Sequence, residues 1–224
     1  MPIILPEEQS YELAPAGSHT AVCFRVADLG TQTGIYGPKQ QILISWELPD
    51  EQMADGRPFT ISRRYTFSSS RKSTLREHLE GWLGRVLTTA DFGKFNLSQL
   101  LGSTCLIGIK HQTKDDGRTF ANVTSVMKRP KAVQERLPCT NGAIAFSLTD
   151  RPFRQHDFDA LPEWVRTAIM NAPEYEAATK PQKQVSVSTK QRLKGILVDK
   201  PAPKPKPDDD DLDDEIPDFP VRAA

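Results

Sequence analysis

Apolar and polar positions alternate with a period of two through QILISWEL (41–48). Ile42, Ile44, Trp46 and Leu48 share one face, and Gln41, Leu43, Ser45 and Glu47 share the other, which predicts a half-buried strand. Upstream, HTAVCFRVADL (19–29) is rich in β-formers and reads as a first strand. GTQTGIYGPK (30–39), with three glycines and a proline, reads as the loop between them. PDEQMADGRP (49–58) is a turn-rich connection to a third strand, FTISRRYTF (59–67). One face of that strand carries Phe59, Ile61, Arg63, Tyr65 and Phe67, and the other carries Thr60, Ser62, Arg64 and Thr66.

The period then changes. In TLREHLEGWLGRVL (74–87), Leu75, Leu79, Trp82, Leu83 and Val86 follow helical spacing, and Thr74 with Glu77 reads as a capping box at its start. NLSQLLG (96–102) reads as one more helical turn stopped by Gly102. TCLIGIKHQ (104–112) and TFANVTSVMK (119–128) are strands four and five, joined by the Asp-Gly turn TKDDGR (113–118). The pattern weakens after Lys128. GAIAFSL (142–148) reads as a short strand, and LPEWVRTAIMNA (161–172) as a short helix with Trp164, Val165, Ala168 and Ile169 inward.

Three strands, a helix and two strands form a mainly β order with the connectivity of the OB-fold, a five-stranded, partly open Greek-key barrel whose strands 2–3 face and 1–2 and 4–5 loops bind oligonucleotides. A twisted five-stranded sheet with a packed helix is the structural rival. The expected organisation is an arm over 1–17, the barrel over 18–129, an annex with a short strand and helix over 130–173, and a disordered Pro/Lys-rich linker and acidic tail over 174–224.

Charge sharpens this picture. Lys and Arg equal Asp and Glu at 29 each, but residues 208–218 alone hold eight acids and no base. Residues 1–207 hold 28 basic against 21 acidic side chains, a net +7. A basic body joined to an acidic tail points to a polyanionic partner, with the tail as competitor or adaptor. Cys23, Cys105 and Cys139 show no C-x-x-C spacing and read as small hydrophobes in a reducing cytosol. MPIILPEEQ lacks the basic start and apolar run of a signal peptide, and no stretch approaches the ~18 apolar residues of a membrane span. The expectation is a cytoplasmic protein.

Catalytic chemistry finds no foothold. His19, His78, His111 and His156 are scattered, and no nucleophile elbow, phosphate loop or metal-ligand spacing is present, so neither enzyme, cofactor nor metal is expected. Single-strand binding instead needs cations along the phosphates and rings on which bases stack. Candidates fall in the expected places: Tyr36 and Lys39 in the 1–2 loop, Arg63, Arg64 and Tyr65 on strand three, and Arg71 and Lys72 after it. Lys110 ends strand four, Lys114 and Arg118 flank the 4–5 turn, and Phe120 opens strand five. Tyr65 and Phe120 read equally as core, Arg63 as a side chain snorkelling from the barrel edge, and Trp46 and Trp82 as core.

RRYTFSSSRKSTLREHLEGWLGR, FNLSQLLGSTCLIGIKH and DGRTFANVTSV, in that order, resemble a group of phage and prophage single-stranded DNA-binding proteins with an OB-type fold. The resemblance covers about residues 18–128 and implies coating of exposed single strands in phage DNA replication or recombination, in the host cytoplasm. The tail, DDEIPDFP, resembles the acidic Ile-Pro-Phe ends by which bacterial single-stranded DNA-binding proteins dock their partners. It implies partner contacts through Asp213, Asp214, Ile216, Pro217 and Phe219. Asp218 interrupts the pattern and five residues follow Phe219. The alternatives are a protein-interaction or DNA-mimic module and a recombination or annealing factor.

Overall fold

The computed structural model describes residues 12–34, 37–115, 117–133 and 136–179. The protein is mainly β, with a six-stranded sheet and short helices. The strands are β1 (Gly17–Gly34), β2 (Gly37–Gln52), β3 (Pro58–Thr66), β4 (Thr104–Thr113), β5 (Thr119–Lys128) and β6 (Ile144–Phe146). The helices are α1 (Thr74–Leu83), α2 (Thr89–Lys94), α3 (Gln155–Asp159), α4 (Glu163–Met170) and α5 (Pro173–Thr179), with a 3-10 turn at Leu97–Leu100. Spatial order is β3-β2-β1-β4-β5, antiparallel at each step, and β6 adds parallel to β1.

β1 is the longest strand because it serves two partners. Gly17–Val22 pair with β4, and Val22–Gly34 pair with β2 across register shifts at Cys23/Arg25 and Asp28/Gly30. Such bulges bend a strand and increase its twist. Residues 30–34 and 37–39, expected as part of a loop, are instead the far end of this hairpin, paired out to Gly34↔Gly37. Gly30 makes this possible: its φ of 67° is left-handed, and a Cβ there would lie 2.6 Å from the Ala172 methyl.

The two ends of the strand path, β3 and β5, are tied together. The Arg63 guanidinium donates to the Val123 carbonyl. The Tyr65 hydroxyl lies 2.9 Å from His78 Nδ1, and His78 Nε2 lies 3.3 Å from the Thr124 carbonyl. Burial, reinforced by the Arg63 charge, lowers the His78 pKa and keeps the ring neutral. A single tautomer then satisfies both contacts, Nδ1 accepting and Nε2–H donating.

Helix α1 lies against β5 at close range. A Cβ on Gly81 would sit 2.3 Å from the Val126 carbonyl oxygen, so the helix approaches to a distance that only glycine permits. Gly81→Ala should therefore lower stability by about 1–3 kcal/mol, measured by urea unfolding, because the helix must lift from β5. Wild-type stability in this variant would show that the helix yields freely. The helix ends earlier than the apolar spacing predicts. Gly84 takes φ 65° and caps it, leaving Val86, expected inward, 77% exposed. Ser73 precedes the helix without a side-chain cap, and the capping box forms at Thr88 and Asp91 of α2 instead.

Two cores result. The first lies between the inner strand faces and α1, and holds Ile42, Ile44, Trp46, Leu48, Tyr65, Leu79 and Trp82. The indoles of Trp46 and Trp82 meet at 6.0 Å between centroids. The second covers the opposite face of the β1–β2 hairpin. There Ala27, Leu29 and Leu43 pack against Phe146, Leu148, Phe158, Val165 and Ile169. β2 is therefore buried on both faces rather than one. Its outer polar residue, Glu47, is 1% exposed and accepts hydrogen bonds from the Thr140 and Asn141 amides, both at 2.9 Å, and from the Cys139 thiol at 3.1 Å. The annex also runs further than the expected 173. Ala178 of α5 belongs to the second core, and Tyr175 packs against it.

Candidate nucleic-acid interface

The antiparallel register of β2 and β3 sets Leu43 opposite Arg64 and Gln41 opposite Thr66. The first residues of β2 thus run alongside the chain as it leaves β3. That chain, 67–73, is serine-rich and held by its own bonds: Ser70 N–H to Ser68 Oγ at 3.2 Å and Lys72 N–H to Ser70 Oγ at 3.3 Å. Arg76 braces it from α1. Its buried guanidinium bonds Glu80 at 2.9 Å, the Ser69 carbonyl at 3.1 Å and the Leu87 carbonyl.

These elements enclose a concavity of about 390 Å³ whose charged lining is Lys39, Arg63, Arg64 and Lys72, with Ser68, Ser70 and Thr66 as neutral donors. Among the described residues no Asp or Glu lines it. Ser73, Thr74 and Leu75, at the start of α1, form one wall, where the helix dipole adds to the positive field. The site therefore suits phosphate oxygens.

Five of the expected binding residues, Lys39, Arg63, Arg64, Tyr65 and Lys72, thus line one place. Arg63 contributes charge but is committed to Val123, with its guanidinium 5.5 Å from the Tyr65 ring centroid. Tyr65 itself is only 4% exposed, and burial pushes its phenol pKa well up. The expectation of Tyr65 as a stacking platform is corrected, since its ring fills the first core. Arg71 is exposed in the turn before α1 and does not line the concavity.

The remaining cations gather on the β4–β5 hairpin. Lys110 is exposed opposite Asn122, the Lys114 ammonium sits 4.7 Å over the Phe120 ring, and the Arg118 carbonyl accepts from Lys114 N–H at 3.0 Å. Phe120 is 36% exposed, at the rim rather than in the core. Lys114 lines a separate shallow surface with Gln112, Thr113 and Asp115. Tyr36 and the tail residues Asp213, Asp214, Ile216, Pro217 and Phe219 lie outside the described residues, as does the linker beyond Thr179.

Two aromatic rings that the sequence pattern assigns to the interior stand exposed here. Phe67 is 50% exposed, because β3 ends at Thr66 and the inward alternation ends with it. Trp164 is 47% exposed, and the Arg64 guanidinium lies 5.5 Å from its ring centroid. Trp164 stands four residues before the buried Ala168, at the edge of the stripe formed by Val165, Ala168, Ile169 and Ala172, so helical spacing alone does not mark it as exposed. An exposed indole thus lies against Arg64, one of the cations lining the concavity.

Among the described residues no group of three or more His, Cys, Asp or Glu is placed to hold a metal ion, and no helix is long and apolar enough to cross a membrane. No known protein family matches the chain, and no curated protein matches it.

Proposed function

We propose that the protein binds single-stranded DNA with little sequence preference, on an OB-type barrel, in phage DNA replication or recombination. The observation that carries this reading is the concavity at the β2–β3 end, lined among the described residues by Lys39, Arg63, Arg64 and Lys72 and by no carboxylate, with the exposed Trp164 ring against Arg64. Fixed cations hold the phosphates and a ring receives a base, the two elements that sequence-tolerant single-strand binding requires. The barrel reading is supported by the order β3-β2-β1-β4-β5, by α1 lying between β3 and β4 in sequence, and by the bonds joining β3 to β5. The β4–β5 hairpin, with Lys114, Arg118 and Phe120, supplies a second contact on a longer strand. The acidic tail acts as an internal competitor for the cationic surface and recruits replication or recombination proteins through Ile216 and Phe219. A tethered polyanion reaches effective concentrations of about millimolar.

Titration of the full chain with oligo-dT of increasing length at two salt concentrations tests the proposal. Four phosphate contacts on a single strand give a log–log salt slope of about −3. Absence of any complex at low salt would reject DNA binding and leave the protein-interaction module as the reading.

A further inference from the structure

A second cavity, of about 370 Å³, is lined by sequence neighbours of the residues lining the cationic one and differs from it in chemistry. This volume lies within the roughly 300–1,000 Å³ of small-molecule sites. Its walls are Ile42, Phe67, Phe95 and Phe146, with the Gln40 and Asn96 amides at its polar side. Asp28 and Asp150 also line it. Asp150 lies 3.7 Å from Arg154, which also pairs with Asp157 at 2.7 Å, so the one cation lining this cavity among the described residues is already engaged by carboxylates. A phosphate is therefore repelled here, whereas a flat, uncharged, hydrogen-bonding ring is accepted.

The two cavities share one stretch of chain. Lys39 lines the cationic one and Gln40 the aromatic one; Thr66 and Ser68 line the first, and Phe67 between them lines the second. The Phe67 N–H donates to the Gln40 carbonyl at 2.8 Å, fixing this boundary between them. A nucleotide laid across it would set its phosphate among cations and its base among aromatic rings.

We infer that the cavity between Phe67, Phe95 and Phe146 takes one unstacked base of the single strand whose phosphates occupy the Lys39–Arg64–Lys72 concavity. The inference rests on the DNA-binding reading and specifies how a base is held. The Asn96 amide oxygen accepts from the Ser98 N–H at 2.9 Å and the Gln40 amide donates to Asp28, so the Asn96 N–H and the Gln40 carbonyl offer a base one donor and one acceptor, which does not select among bases.

The test uses the full chain with Phe67→Ala and Phe67→Leu, the second keeping apolar bulk without a ring face. Oligo-dT and an abasic oligonucleotide of equal length are titrated against each. Wild type should prefer oligo-dT. Both variants should bind oligo-dT about 5- to 100-fold more weakly, the loss expected for one stacked base. Their salt slope should be unchanged, and their preference over the abasic strand should fall. Unchanged oligo-dT affinity in Phe67→Leu, with wild type still binding, overturns the base pocket and leaves the cationic site standing. Absence of binding by wild type itself overturns the DNA-binding reading and this inference together.

Discussion

Glu47→Ala should cost about 3 kcal/mol of stability at neutral pH, the largest effect expected from any side chain outside the apolar cores. A hydrogen bond to a charged acceptor contributes roughly 1.5–3 kcal/mol, and donors left unpaired add a desolvation cost. Glu47 accepts from two backbone amides, the Asn141 side chain and the Cys139 thiol. The thiol stays protonated and donating, because burial and the neighbouring carboxylate push its pKa up to about 11. For Glu47, burial alone would raise the pKa, but the Thr140 and Asn141 donors outweigh it and hold the carboxyl below its ordinary range. Its contribution is thus fully present above the unfolded-state pKa of about 4.3 and is lost as pH falls through the lower folded value. Urea unfolding at neutral and acidic pH measures this. The variant should be less stable at neutral pH and show a shallower decline on acidification. A neutral-pH stability equal to wild type would mean that segment 139–141 is held by other contacts.

This carboxylate also shows where the chain's pattern is legible and where it is not. Alternation identifies β3, β4 and β5 almost to the residue, because one face of each meets the first core and the other remains largely polar. Alternation also places Glu47 and Ser45 on an outer face, and nothing local indicates that this face is covered. The cover comes from 139–179, whose weak periodicity reflects short elements anchored by single side chains such as Phe158 and Leu161. Glycine misleads in the opposite direction. Gly30, Gly34 and Gly37 suggest a loop, yet Gly30 is required by contact with Ala172, and the strands continue past it. At the candidate site, each cation is visible in the sequence, but their grouping is not. The β2–β3 register and the serine-rich turn bring Lys39 to Lys72, while the β4–β5 hairpin carries Lys110, Lys114 and Arg118 as a group of their own.

Simultaneous replacement of Lys39, Arg64 and Lys72 by glutamine should weaken oligo-dT binding about 100-fold at 0.1 M salt and make the salt slope shallower by about 2. Each single-strand phosphate contact contributes about 0.7 to the slope, so three lost contacts fix both numbers together. Arg63 is left in place because it ties β3 to β5, and its removal would mix folding with binding. Thermal unfolding of the variant is measured alongside, so that any loss of fold is separated from loss of binding. Affinity and slope must move together. A weaker complex with an unchanged slope would place the loss in base stacking, through Arg64 no longer orienting Trp164. Unchanged affinity with unchanged slope would move the phosphate path to the β4–β5 hairpin, where the same replacement of Lys110, Lys114 and Arg118 should then produce the shift. The comparison decides between the two cationic groups that the fold keeps apart.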